Sequence, residues 1–319
     1  MEEKTARRYL RRRFSPIGWT LVVYYLIMNV VAIGVMLVDG MIQQLQAFAA
    51  GDMNFVIDET AMMNNGWGYL LSIAVGFVIL YAWKGGDFLR REVMAKANSM
   101  NAPVFFCLLC LCTGSQLVNS LWVMALEVFL NLFGLSAVGI LEQVSGQSDS
   151  LSMFLYASLA APIAEELLFR GLVLRSLRPF GKKFAIFGSA FLFGLFHGNL
   201  LQTPYAFLIG LVLGYVTLEY SILWAIVLHG FNNLVLADLL TRVLSLLPEL
   251  LASSIQFTVL LGFTIAAVVI LIMKWQQVVA YFRSEQTDRR ALRCFFLNSG
   301  VIVLTLLMLV NMMLMLSGV

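Results

Sequence analysis

The sequence predicts an all-α fold, a polytopic transmembrane helical bundle of about eight to nine spans around a core of central helices. Three observations carry this. Of the 319 residues, 61% are hydrophobic and only 12% are charged, about half the charge of a soluble domain, and mean hydropathy is +0.87. Apolar stretches near the roughly 20-residue length that crosses a hydrocarbon layer recur along the chain. The basic residues gather in alternate loops.

Taken in order, the candidate helices are residues 17–38, 67–83, 104–133, 151–174, 184–198, 204–218, 222–240, 252–273 and 295–317. The first follows a basic stretch but is too long for a signal-peptide core and lacks a small-residue cleavage site, so it reads as a retained span. Segment 104–133 carries Cys107, Cys110 and Cys112 among Leu and Phe, where cysteine behaves as a small hydrophobe. Segments 184–198 and 204–218 are short, which reduces the count to eight if one is re-entrant. Segments 17–38, 252–273 and 295–317 hold almost no ionisable groups and are expected to be lipid-facing or peripheral. The methionines of the last one, Met308, Met312, Met313 and Met315, are expected to pack in lipid.

Nineteen of the 21 Lys and Arg residues lie in four places: the N-terminal run, loop 84–102, loop 175–183 and loop 274–294. Nine alternating spans put all four on one side, which the positive-inside rule makes cytoplasmic. Residues 39–66 and 134–150 carry Asp39, Asp52, Asp58, Glu59, Glu142 and Asp149 without a single Lys or Arg. The net charge of +3 thus reflects orientation in a bilayer and argues against nucleic-acid binding. The expected protein is multi-pass, with a cytoplasmic N-terminus. Residues 1–150 supply the N-terminal spans, 151–240 the core with the chemistry, and 241–319 the C-terminal spans.

The exceptions to an apolar interior are informative, because ionisable residues at membrane depth are costly and mark functional sites. In Ala161-Pro162-Ile163-Ala164-Glu165-Glu166-Leu167-Leu168-Phe169-Arg170, Glu166 and Arg170 stand i, i+4 and can pair on one helix face. Glu165 points about 100° away, free to face another helix as a desolvated carboxylate suited to general-base work. Phe193 and His197 share a face of the next segment. His229 and Asn233 share a face of a third, where imidazole and carboxamide can both donate to one oxygen, the chemistry of an oxyanion hole. His197 and His229 are the chain's only histidines. From helix rise, Glu165 and His229 lie roughly 12–15 Å below the basic face.

Glu-Glu-x-x-x-Arg, Phe-x-x-x-His and His-x-x-x-Asn, in that order on successive membrane segments, resemble the CPBP family, which comprises the type II CAAX prenyl endopeptidases and the bacterial Abi proteins. The motif-bearing resemblance covers about 151–240. It implies an intramembrane endopeptidase of a bacterial cell membrane, with a membrane-associated peptide or protein as substrate, in peptide or bacteriocin maturation or in self-immunity. By the same carry-over Glu165 activates a water held or polarised by His197, Glu166 and Arg170 tune that carboxylate, and His229 with Asn233 form the oxyanion site. No span carries His-Glu-x-x-His, so a conventional zinc protease is not indicated. No cofactor follows from these residues. A divalent metal such as zinc would have to use Glu165, His197 and His229, and the choice between metallopeptidase and glutamate peptidase stays open. Two other readings fit the same sequence: a non-catalytic immunity or regulatory scaffold, and a proton-coupled transporter in which Glu127 takes part.

Overall fold

The computed structural model describes residues 2–52, 55–58, 62, 64–84, 98–137, 150–283 and 289–318. Glu59, Arg90, Arg91, Lys96, Glu142 and Asp149, whose charges helped to orient the chain, lie outside them. The described chain is helical but for one short antiparallel pair. Its helices are α1 (Glu2–Ala49), α2 (Trp67–Lys84), α3 (Ala102–Asn131), α4 (Leu151–Phe180), α5 (Lys182–Phe196), α6 (Thr203–Glu219), α7 (Ile222–Leu244), α8 (Glu249–Arg283), α9 (Arg289–Phe296) and α10 (Ser299–Leu314). Several begin on a side-chain cap that satisfies an otherwise orphaned N–H. Asn101 accepts from Val104 N (3.0 Å), Ser150 from Met153 N (3.0 Å), Ser221 from Trp224 N (3.3 Å) and Asn298 from Gly300 N (3.0 Å).

Five of these helices, α1, α3, α4, α7 and α8, are long and apolar enough to cross a membrane. The α9–α10 pair, bent by 53°, makes a sixth if it is one span. The expectation of eight to nine full spans therefore changes at three segments: α2, apolar over Trp67–Ala82 only, and the two short ones. α5 has 15 residues and α6 has 17, about 22 and 26 Å at 1.5 Å per residue, short of a hydrocarbon layer of about 30 Å. They form a hairpin whose two open ends meet, since Lys182 at the start of α5 pairs with Glu219 at the end of α6 (2.9 Å). The tip of the hairpin, residues 197–202, is largely buried and packs Leu201 against Leu126, Leu130 and Ala137.

Contacts at the two ends of the bundle sort the loops by charge. At one end Phe14 stacks edge-on with Phe180, Phe184 and Phe295, Asn98 reaches Glu219 O, and Tyr281 donates to Glu219 (2.8 Å). This gathers the described parts of all four basic segments at one end. At the other end β1 (Leu135–Ser136) pairs with β2 (Ser317–Gly318), and Gly66 N donates to Ser152 Oγ.

Parts of two segments expected at the periphery are buried, namely α1 up to Tyr24 and one face of α10, while the rest of α1 is largely exposed as expected. On α1, Leu10, Phe14, Ile17, Leu21 and Tyr24 are buried, and Val301, Leu304, Met308 and Met312 of α10 are buried with them. Only Met313 and Met315 of the terminal methionines face outward. Hydropathy could not separate these cases, because lipid and protein interior are equally apolar and helices meet in a membrane through packing of small residues. Gly18 and Gly300 provide that packing. A Cβ on Gly300 would sit 2.6 Å from Trp19 N, so the two backbones cross in contact. α8 is peripheral as expected, burying only Ala267.

Candidate active site

The carboxylates of α4, the histidine of α7 and the aromatic face of α5 converge. Glu166 and Arg170 are fully buried and pair at 3.0 Å between Oε1 and Nη1. The same Oε1 accepts from His229 Nδ1 at 2.9 Å, which puts a proton on that nitrogen and aims Nε2 the other way. Nε2 faces Glu165 Oε2 at 3.8 Å. That separation is too long for a direct hydrogen bond and suits a shared small molecule such as water. Glu165 is the exposed member of the pair, with 29% of its side chain accessible. Among the described residues, Glu166 Oε2 is buried without a hydrogen-bond partner.

Phe193 organises the surroundings. The Arg170 guanidinium lies 4.3 Å over its ring. The imidazoles of His197 and His229 meet it edge-on at centroid distances of 4.9 and 5.8 Å. One phenyl thus touches both histidines and the arginine that balances Glu166. Arg170 also reaches Gly210 O on α6 (3.5 Å).

Not all the expected residues meet. His197 Nδ1 donates to Phe193 O, one turn back on its own helix (2.9 Å), and no hydrogen bond or ion pair joins it to Glu165 among the described residues. Asn233 Nδ2 donates to Ala157 O on α4 (3.3 Å), while its Oδ1 accepts from Asn232 Nδ2 (3.3 Å). Asn232, buried, also accepts from Tyr205 (3.3 Å). The His229–Asn233 face is therefore divided, with His229 turned to the carboxylates and Asn233 to the α4 backbone.

Nothing in the sequence signals the wide turns in these helices. α4 is π-helical over Tyr156–Ala160 and again from Glu166 to Leu174, and α7 is π-helical from Asn232 to Leu239. π segments are rare and concentrate at functional sites. Here two of them start at, or beside, the site residues themselves. Sequence reasoning also passes over Tyr24 and Tyr156. Both lie within electrostatic reach of the Glu165 carboxylate, and Tyr156 stacks on Tyr69 at 4.8 Å. Tyrosine in an apolar span carries no local signal of such a position.

Glu166 Oε1 is shared by Arg170 and His229, His197 is turned to Phe193 O, and among the described residues no three His, Cys, Asp or Glu side chains form a cage. Glu127, the residue a transporter would need, accepts from Ser136 Oγ (2.7 Å) and Ala137 N (2.9 Å) beyond the end of its own helix. Those bonds give it a local structural role far along the chain from the cluster.

Residues 147–235 match the family described as type II CAAX prenyl endopeptidase Rce1-like. No curated protein and no solved structure gives a match. The matched stretch contains Glu165, Glu166, Arg170, His197, His229 and Asn233, so the cluster of Glu165, Glu166, Arg170 and His229 lies inside it. Over residues 147–235 this chain is therefore similar to a type II CAAX prenyl endopeptidase Rce1-like domain.

Proposed function

We propose that this chain is an intramembrane endopeptidase that hydrolyses a peptide bond in a membrane-associated peptide or protein, working from the basic, cytoplasmic face. The observation that carries the reading is the convergence of Glu165, Glu166 and His229 from two helices, with Arg170 buried beside them. With His229 protonated on both nitrogens, the two carboxylates, the imidazolium and the guanidinium sum to zero charge. That balance lowers the cost of holding four ionisable groups at membrane depth.

In this scheme a water in the space between Glu165 and His229 gives a proton to Glu165 and attacks the scissile carbonyl. The new oxyanion takes a hydrogen bond from His229 Nε2–H, whose ring is held by Glu166 through Nδ1. Asn233 adds a second donor on turning from Ala157 O to the substrate. The proton on Glu165 passes to the departing amine as the C–N bond breaks. His197, whose ring also meets Phe193, is assigned by the resemblance to holding or polarising that water. A cleavage assay on a membrane-anchored peptide panel tests the scheme with Glu165→Ala, His197→Ala and His229→Ala. Each is expected to lose at least about a hundredfold in kcat. Wild-type turnover in any of them removes that residue from the chemistry.

A further inference from the structure

The tip of the α5–α6 hairpin holds His197 by a set of bonds that reaches beyond the matched domain. The turn runs from His197 to Gln202, and each of its first four carbonyls has a donor. His197 O accepts from Asn199 Nδ2 (3.2 Å) and Asn199 O from Thr203 Oγ1 (2.7 Å), both local. The other two donors come from distant helices. Gly198 O accepts from Asn311 Nδ2 of α10 at 3.0 Å, and Leu200 O accepts from Trp122 Nε1 of α3 at 2.9 Å. Asn199 and Gln202 close the turn internally, through Asn199 Nδ2 to Gln202 Oε1 and Gln202 N to Asn199 Oδ1.

Such satisfaction is demanded by burial. Gly198, Asn199 and Leu201 are buried, Leu201 among Leu126, Leu130 and Ala137, and an unpaired buried carbonyl costs about 1–3 kcal/mol. The helix break that places His197 therefore needs donors from neighbouring spans. Gly198 adopts φ +64°, open to glycine at no steric cost. A Cβ there would lie 2.7 Å from Asn311 Nδ2. Backbone and amide are thus fitted to each other.

We propose that Asn311 and Trp122, both outside the matched domain, are positioning residues for the His197 imidazole: they clamp the two carbonyls of Gly198 and Leu200 and so fix where its ring stands beside Phe193. The effect on turnover rests on the peptidase reading. The effect on the ring does not.

The two-histidine composition makes the test direct. Full-length protein labelled with ¹³C,¹⁵N-histidine in detergent micelles gives two ring spin systems, assigned with a His197→Gln sample. Asn311→Leu and Trp122→Phe are each expected to shift the His197 ring signals and leave those of His229 in place. Gly198→Ala, which keeps the amide but pushes against it, is expected to do the same. In the cleavage assay these variants lose about ten- to a hundredfold in kcat, with KM within about twofold, as expected of a group displaced by an ångström or less. Unmoved His197 signals in the folded variants overturn the inference. Moved His197 signals with wild-type turnover uphold the positioning and overturn the role of His197 in cleavage.

Discussion

Arg170 is the residue whose loss has the most calculable consequence. It is fully buried, pairs with Glu166 at 3.0 Å and covers the Phe193 ring at 4.3 Å. Arg170→Met keeps the volume but strands the Glu166 carboxylate in an apolar interior, with His229 as its one remaining charged partner. Breaking a buried pair by removing one member costs about 3–5 kcal/mol, because the other charge is left uncompensated. For a chain of this size that is a fall of about 4–8 °C in unfolding temperature. The assay is thermal unfolding of purified protein in detergent, followed by tryptophan fluorescence. The informative companion is Arg170→Met combined with Glu166→Gln, which leaves no stranded charge and is expected to recover half or more of the loss. Recovery of stability in the pair comes without recovery of cleavage, since Glu166 also orients His229. If Arg170→Met unfolds at the wild-type temperature, or if the two substitutions add, the buried ion pair is not what holds the cluster.

Gly300→Leu should abolish folded protein, since a Cβ at that position already meets Trp19 N at 2.6 Å, and the readout is monodisperse yield in detergent. Burial pushes the Glu219 carboxyl up, but hydrogen bonds from Lys182 and Tyr281 outweigh it and hold it below the usual range. Its contribution is therefore present above the unfolded value of about 4.3 and lost as pH falls through the folded one, so unfolding temperature should drop on acidification and drop less in Lys182→Ala. Glu127→Gln should leave cleavage at the wild-type level, and proteoliposome flux that depends on Glu127 would reinstate the transporter reading.

The membrane class and the site were legible for different reasons. Span length and charge placement are properties of one-dimensional hydropathy, and they located the helices to within a few residues at most ends. The site was legible because Glu165, Glu166, Arg170, His197 and His229 are anomalous in apolar surroundings, and the i, i+4 spacing of Glu166 and Arg170 gave their pairing directly. The hidden features depend on partners. The 48 residues of α1 exceed the apolar stretch because the basic turns before Ile17 pack Leu10 and Phe14 into the aromatic cluster of Phe180, Phe184 and Phe295. No local pattern announces that packing. The π turns at Glu166 and Asn232 rotate the downstream residues relative to a regular helix, so spacing alone joined Asn233 to His229 on one face where the structure sends it to Ala157.

The shortness of the α5–α6 hairpin connects these points. A pair of full-length spans would put its turn in the aqueous phase, where carbonyls are satisfied by water and flanking helices are dispensable to it. The tip of this hairpin of 15 and 17 residues is instead held by donors from α3 and α10, and with it the one histidine that no carboxylate holds among the described residues. His229 is fixed from within the matched stretch, by Glu166 of α4. His197 is held by its own helix and by a turn whose donors come from the turn itself, from α6 and from α3 and α10. The two histidines are consequently exposed to different perturbations. Changes in α4 act on His229 through charge, and changes in the flanking spans act on His197 through backbone hydrogen bonds. On this view the helices outside residues 147–235 complete the site, because a buried turn must borrow its donors from them.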